Sequence, residues 1–139
     1  MKSRETLIRL KKFQVDEKRR RVAQIESMIA DFERMSVDLE HEIATEQERA
    51  GITDPTHFAY PTYAKAAIQR RENLTRSAGE LRMQLEDARA QLGEAFEELK
   101  KVELLDERDQ ARGRAEDTAR EQAEMNNIGL MRSRIGAVA

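Results

Sequence analysis

Few side chains in this sequence could do chemistry, and their spacing argues against it. His41 and His57 are the only imidazoles, and cysteine is absent. His41 lies two residues from both Leu39 and Ile43, so a helix that buries those two turns His41 to solvent. His57 stands between the chain's only prolines, Pro55 and Pro61, with no acidic or nucleophilic partner at motif spacing. Asp and Glu together number 27, but they are strewn along helical stretches as a solvated face, not set as a general acid and base. No phosphate-cradling glycine loop, metal-ligand cluster or nucleophile elbow occurs. An enzyme, a cofactor and a metal site are therefore not expected. The chemistry on offer is that of surfaces: a basic run, a knot of aromatics and stripes of apolar residues.

Those surfaces must be positioned by helices. Val22, Ile25, Ile29, Phe32, Leu39 and Ile43 follow alternating steps of three and four, interrupted at Ser36. After the prolines, Leu74, Ala78, Leu81, Leu85, Ala88, Leu92, Ala95, Leu99 and Val102 do the same without a gap. A repeat averaging ~3.5 residues keeps one stripe of a helix against a partner helix. Two such stripes on either side of a short break fold back on each other most simply. The expected fold is all-α, a long antiparallel two-helix coiled-coil hairpin. Charged residues make up 37% and aromatics 4%, the bias of long helices and not of a globular core. No run approaches the ~20 apolar residues of a membrane span. The amino terminus lacks the apolar core of a secretory signal.

The expected organisation is a single hairpin over 1–139. The first helix covers about 3–50, opening near Ser3 and closing at Gly51, a residue that enters the left-handed conformation cheaply. The connection covers 51–61, where Asp54-Pro55 could start one extra helical turn. The second helix covers about 62–125, and a tail of 126–139 is open to disorder. The arms are ~70 and ~97 Å long, and antiparallel pairing makes partner numbers add to roughly 112. Ile8 then lies beside Leu104 and Leu105, Val22 near Ala88 and Leu92, and Leu39 near Leu74. Beyond Leu105 the second arm outruns the first and overhangs as a single helix. Its apolar residues are first Ala111, Ala115, Ala119 and Ala123, then a sticky end of Met125, Ile128, Leu130, Met131 and Ile135.

Two surface signals remain. Lys18-Arg19-Arg20-Arg21 is a basic run, but it has no interleaved aromatics and the net charge is −2. A charged face pairing with Glu94, Glu97 and Glu98 is the simpler reading, so nucleic acid is not an expected partner. Phe58, Tyr60 and Tyr63 are half of the chain's six aromatics and gather at the hairpin tip. Some of them cap the seam; an exposed one would anchor a partner.

The stretches TLIRLKKFQVDEKRRRVAQIESMI, HFAYPTYAKAAIQRRENL and FEELKKVELLDERDQAR resemble the FliJ family of flagellar export proteins, in its alphaproteobacterial form. The resemblance covers nearly the whole chain. It implies a two-helix coiled coil like the central stalk of rotary ATPases, without catalysis of its own. The implied partners are the hexameric flagellar export ATPase, the transmembrane export gate protein and export chaperones. The implied location is cytoplasmic, peripheral to the inner membrane at the flagellar base, without insertion. Carried onto this chain, ring contact falls on Ala111, Ala115, Ala119, Ala123, Met125, Ile128, Leu130 and Met131. Gate contact falls at the tip and the early second helix, on Phe58, Tyr60, Tyr63, Ala67 and Leu74; Ala67 and Arg70 depart from the family pattern there. The alternatives are a self-associating scaffold, as a homodimer or four-helix bundle, and a holdase whose tip and tail bind unfolded clients.

Overall fold

A computed structural model describes residues 2–138, with side chains from 3 to 136. It holds two helices, α1 (Lys2–Ala50) and α2 (Thr62–Val138), and no strand among the described residues. The chain is an all-α helical hairpin. Helix α1 ends because Gly51 adopts φ of +69° while its N–H still reaches the carbonyl of Gln47 at 2.9 Å. The connection is a pair of turns rather than an added helical turn. The Asp54 carboxylate accepts from the backbone N–H and the hydroxyl of Thr56, and the His57 N–H donates to the Asp54 carbonyl. Those two bonds from Thr56 hold the Asp54 carboxyl below its ordinary pKa. With the Asp54 side chain tying down the first turn, the next closes from Tyr60 N–H to the His57 carbonyl.

The second helix was expected to stop near 125 and leave a loose tail; it continues to Val138. No proline follows Pro61, and the glycines at 129 and 136 cost only ~1 kcal/mol each in a helix. Nothing in the sequence therefore ends it. Ala139 lies outside the described residues.

Contacts divide the chain into two units, one of Met1–Lys12 with Glu97–Ala139 and one of Phe13–Phe96. The second holds nearly all of the buried apolar surface. Ile25, Ile29, Leu81, Leu85 and Ala88 form one cluster, with Val22 and Phe32 against it. Leu39, Ile43 and Ala67 form another, with Ile68 and Leu74. Apart from Ala67 and Ile68, these are residues of the two periodic stripes, meeting as expected. Within this unit Glu33 pairs with Arg82 at 2.6 Å and Glu26 with Arg89 at 3.7 Å. Both pairs add to 115, less than one helical turn from the expected register.

The basic run does not pair as expected. Lys18 donates to Gln91 at 3.1 Å and the Arg19 guanidinium lies over the Phe96 ring at 5.0 Å. Arg20 and Arg21 are exposed. Glu98, expected beside the run, is held by Lys11 at 2.9 Å in the other unit.

In the unit of Met1–Lys12 and Glu97–Ala139, Leu99 is the one buried apolar residue among those described. Leu104 and Leu105, expected beside Ile8, point outward at 53% and 48% exposure. The half-buried stripe there runs through Val102, Asp106 and Asp109. The cause is periodicity: continuing steps of three and four from Leu99 reaches 102, 106 and 109 and skips both leucines. From Gln110 onward, every described residue but Gly113 is exposed.

Candidate functional site

Two surfaces carry the residues that the sequence singles out, and each belongs to one unit. The first is the hairpin tip. Phe58 is 96% exposed and stacks on His57, with ring centroids 4.7 Å apart. His57 is structural, since its Nδ1 accepts the Ala59 N–H at 3.0 Å. Tyr60 is buried, and its hydroxyl accepts from the Gln47 side-chain amide at 2.8 Å. It caps the seam and offers nothing outward. Ala67 is likewise buried, inside the cluster of Leu39 and Ile43. Of the five tip residues expected to make contact, these two therefore shape the surface from beneath. Ala67 sits on the α2 stripe that faces α1, and Tyr60 lies in the connection just before that stripe begins, which is why burial claims them.

The exposed part is a groove of about 480 Å³ between α1 and α2. Tyr63, Arg70, Asn73, Leu74 and Ser77 line one side, and Met35, Asp38, Leu39 and Glu42 the other. The α1 wall was missed in the sequence. Its signal was there: Met35 and Glu42 stand one heptad apart, each next to a stripe position, and so flank the seam. The Tyr63 ring is half exposed while its hydroxyl donates to Glu42 Oε2 at 2.7 Å. That bond, and then the charge of Glu42, raises the Tyr63 pKa above its ordinary 10.0. A raised value in the fold means the bond's contribution is whole below about pH 10. It disappears as pH climbs through the raised value. Absorbance titration at the phenolate band is expected to show one tyrosine ionising late, and Glu42→Gln to bring that step down. An unchanged titration in Glu42→Gln would remove the bond from the tip.

The second surface is the α2 segment beyond Asp109. Ala111, Ala115, Ala119 and Ala123 are all exposed, as are Met125 (67%), Ile128 (52%), Leu130 (60%) and Met131 (63%). Thr118 hydrogen-bonds back to the Arg114 carbonyl, and Gln122 reaches Asn126 at 3.5 Å. The segment is a solvated helix held by its own turns. Such a row of large apolar side chains is unusual on a free helix and makes the segment a candidate contact surface.

Neither surface gathers catalytic chemistry, and the described residues contain no cluster of His, Cys, Asp and Glu suited to a metal. No helix among them is long and apolar enough to cross a membrane. A family model described as the flagellar FliJ protein matches residues 1–135. The chain belongs to the FliJ family. No curated protein and no solved structure gives a match. Membership makes this FliJ protein a component of the flagellar export apparatus, in a family that is generally non-enzymatic. The groove at the tip and the solvated end of α2 are then its candidate surfaces for other export components.

Proposed function

We propose that this FliJ protein is a stalk in the ring of the flagellar export ATPase. It promotes ring assembly and activity, couples the ring to the transmembrane export gate, and takes part in handling export chaperones. The observation that carries the reading is the free end of α2. A stalk inside a narrow bore has to be a single thin helix with small residues and a terminal anchor. The exposed stretch from Gln110 supplies Ala111, Ala115, Ala119 and Ala123, followed by Met125, Ile128, Leu130 and Met131. Small residues let neighbouring backbones approach closely, and large apolar side chains supply the binding energy at the end. Phe58 and the tip groove with Tyr63 and Leu74 serve the gate in the same reading, with Tyr60 and Ala67 buried behind them. Its location is cytoplasmic, on the inner face of the membrane beside that gate.

The test is the hydrolysis rate of the cognate export ATPase with the full chain and with a chain truncated after Gln110. Asp109 stays in the shortened chain because it pairs with Arg4. Stimulation by the full chain, lost on truncation, is the expected result. If stimulation survives truncation, the ring contact lies elsewhere. If neither chain changes the rate and neither co-migrates with the ATPase, the stalk reading fails.

A further inference from the structure

In the unit of Met1–Lys12 and Glu97–Ala139, the α1 positions turned toward α2 are Arg4, Ile8 and Lys11, all half-buried. Two of the three are cations one heptad apart. The Arg4 guanidinium donates to the Leu105 carbonyl at 3.0 Å and pairs with Asp109. Lys11 Nζ donates to Glu98 Oε2 at 2.9 Å. Apolar contact here comes from Ile8, Leu99 and Val102, of which only Leu99 is buried. Leu7, Leu10, Leu104 and Leu105 meanwhile remain 39–53% exposed. The usual order is inverted: ions stand in the seam and leucines outside it.

Ion pairs and apolar layers respond differently to salt. Exposed pairs contribute only ~0–1 kcal/mol each, and their range shrinks from ~10 Å at 0.1 M salt to ~3 Å at 1 M. Buried apolar side chains contribute more and are not screened. Segments with little buried surface open locally, ahead of the rest of a fold. In the unit of Phe13–Phe96 the seam is built of Ile25, Ile29, Leu81 and Leu85, so salt has little hold on it.

We propose that the pairing of residues 3–12 with 97–109 is an ion-pair latch, opening and closing while residues 13–96 stay paired. This goes beyond the stalk reading and does not depend on it. Closed, the latch covers Ile8, Leu99 and Val102. Open, it exposes Ile8 beside Leu7 and Leu10 on α1, and Leu99 and Val102 beside Leu104 and Leu105 on α2.

Hydrogen exchange on the full chain tests the latch, comparing amides of 98–106 with those of 81–88. Both stretches lie in the interior of α2, so fraying at a chain end affects neither. Amides of 98–106 are expected to exchange at least about tenfold faster, and several-fold faster again when NaCl rises from about 0.05 M to about 1 M. Amides of 81–88 should not respond to salt. Lys11→Leu, which replaces one of the two ion pairs with an apolar side chain in the seam, should slow exchange in 98–106 and weaken the salt response, the Arg4–Asp109 pair remaining. Lys11→Arg should preserve both. Equal protection of the two stretches, fast exchange without a salt response, or a salt response undiminished by Lys11→Leu would each overturn the latch.

Discussion

Ile25→Ala is expected to destabilise the hairpin by about 2–5 kcal/mol, more than any other single truncation. Ile25 is 1% exposed, the most buried of the large side chains. It packs into the cluster of Ile29, Leu81, Leu85 and Ala88, with Val22 and Phe32 on either side. A two-helix seam is one side-chain layer deep. The neighbours are fixed to their own helices at heptad spacing, so they cannot slide in to refill the space. Water can enter from the flanks, which limits the cavity penalty but leaves the lost transfer energy whole. A chain of this size has only about 5–15 kcal/mol of total stability, so the loss is a large share. Urea unfolding followed by helical circular dichroism checks it, with Met83→Ala as control. Met83 is 71% exposed, and its truncation should stay within about 0.5 kcal/mol. An unchanged midpoint in Ile25→Ala would mean that the two stripes do not meet as described.

How much of this was legible depends on where apolar residues mark the seam. Ile25, Ile29, Leu81 and Leu85 could be placed from spacing alone, because only a helix pairing buries that pattern. The seam's ends could not. It begins at Tyr60 in the connection and Ala64 on α2, both buried, and passes the half-buried Arg71 before Leu74. A charged residue in the stripe hides the first two heptads from a hydrophobic count. At the other end Leu104 and Leu105 drew the eye, although the repeat runs through Asp106 and Asp109. Arg4 and Lys11 likewise hold seam positions on α1 although they are charged, so no hydrophobic count finds them. The candidate site follows this rule. That one aromatic at the tip would stand exposed and that α2 would overhang were readable; that the exposed ring would be Phe58 was not. The buried roles of Tyr60 and Ala67 depended on three-dimensional register, and so did the α1 wall of the tip groove. The continuation of α2 to Val138 was obscured by an apolar, glycine-containing end that looked like a tail.

Ser36→Leu is the substitution expected to move stability furthest upward, by about 1–2 kcal/mol. Ser36 holds a seam position between Phe32 and Leu39 and is half-buried. A groove of about 330 Å³ opens beside it, lined by Phe32, Val37, Leu74, Thr75 and Ala78, with Glu33 and Arg82 at its edge. The facing residues are small, so a leucine has room without forcing the helices apart. The Ser36 hydroxyl makes no hydrogen bond to another described residue, so it anchors no internal network. Leucine also favours the helix over serine by a few tenths of a kcal/mol. The urea midpoint should rise with an unchanged slope, since the exposed surface on unfolding barely differs. A fall would mean that the groove is already closed in solution and that leucine overpacks it. The same variant separates two reasons for the gap. Leu74 lines both this groove and the tip groove on the opposite flank, so filling one stiffens the wall of the other. If the chain stabilises and gate binding is untouched, Ser36 is a packing defect that selection has tolerated. If it stabilises while gate binding weakens, the yielding seam at Ser36 is part of how the tip groove accepts its partner.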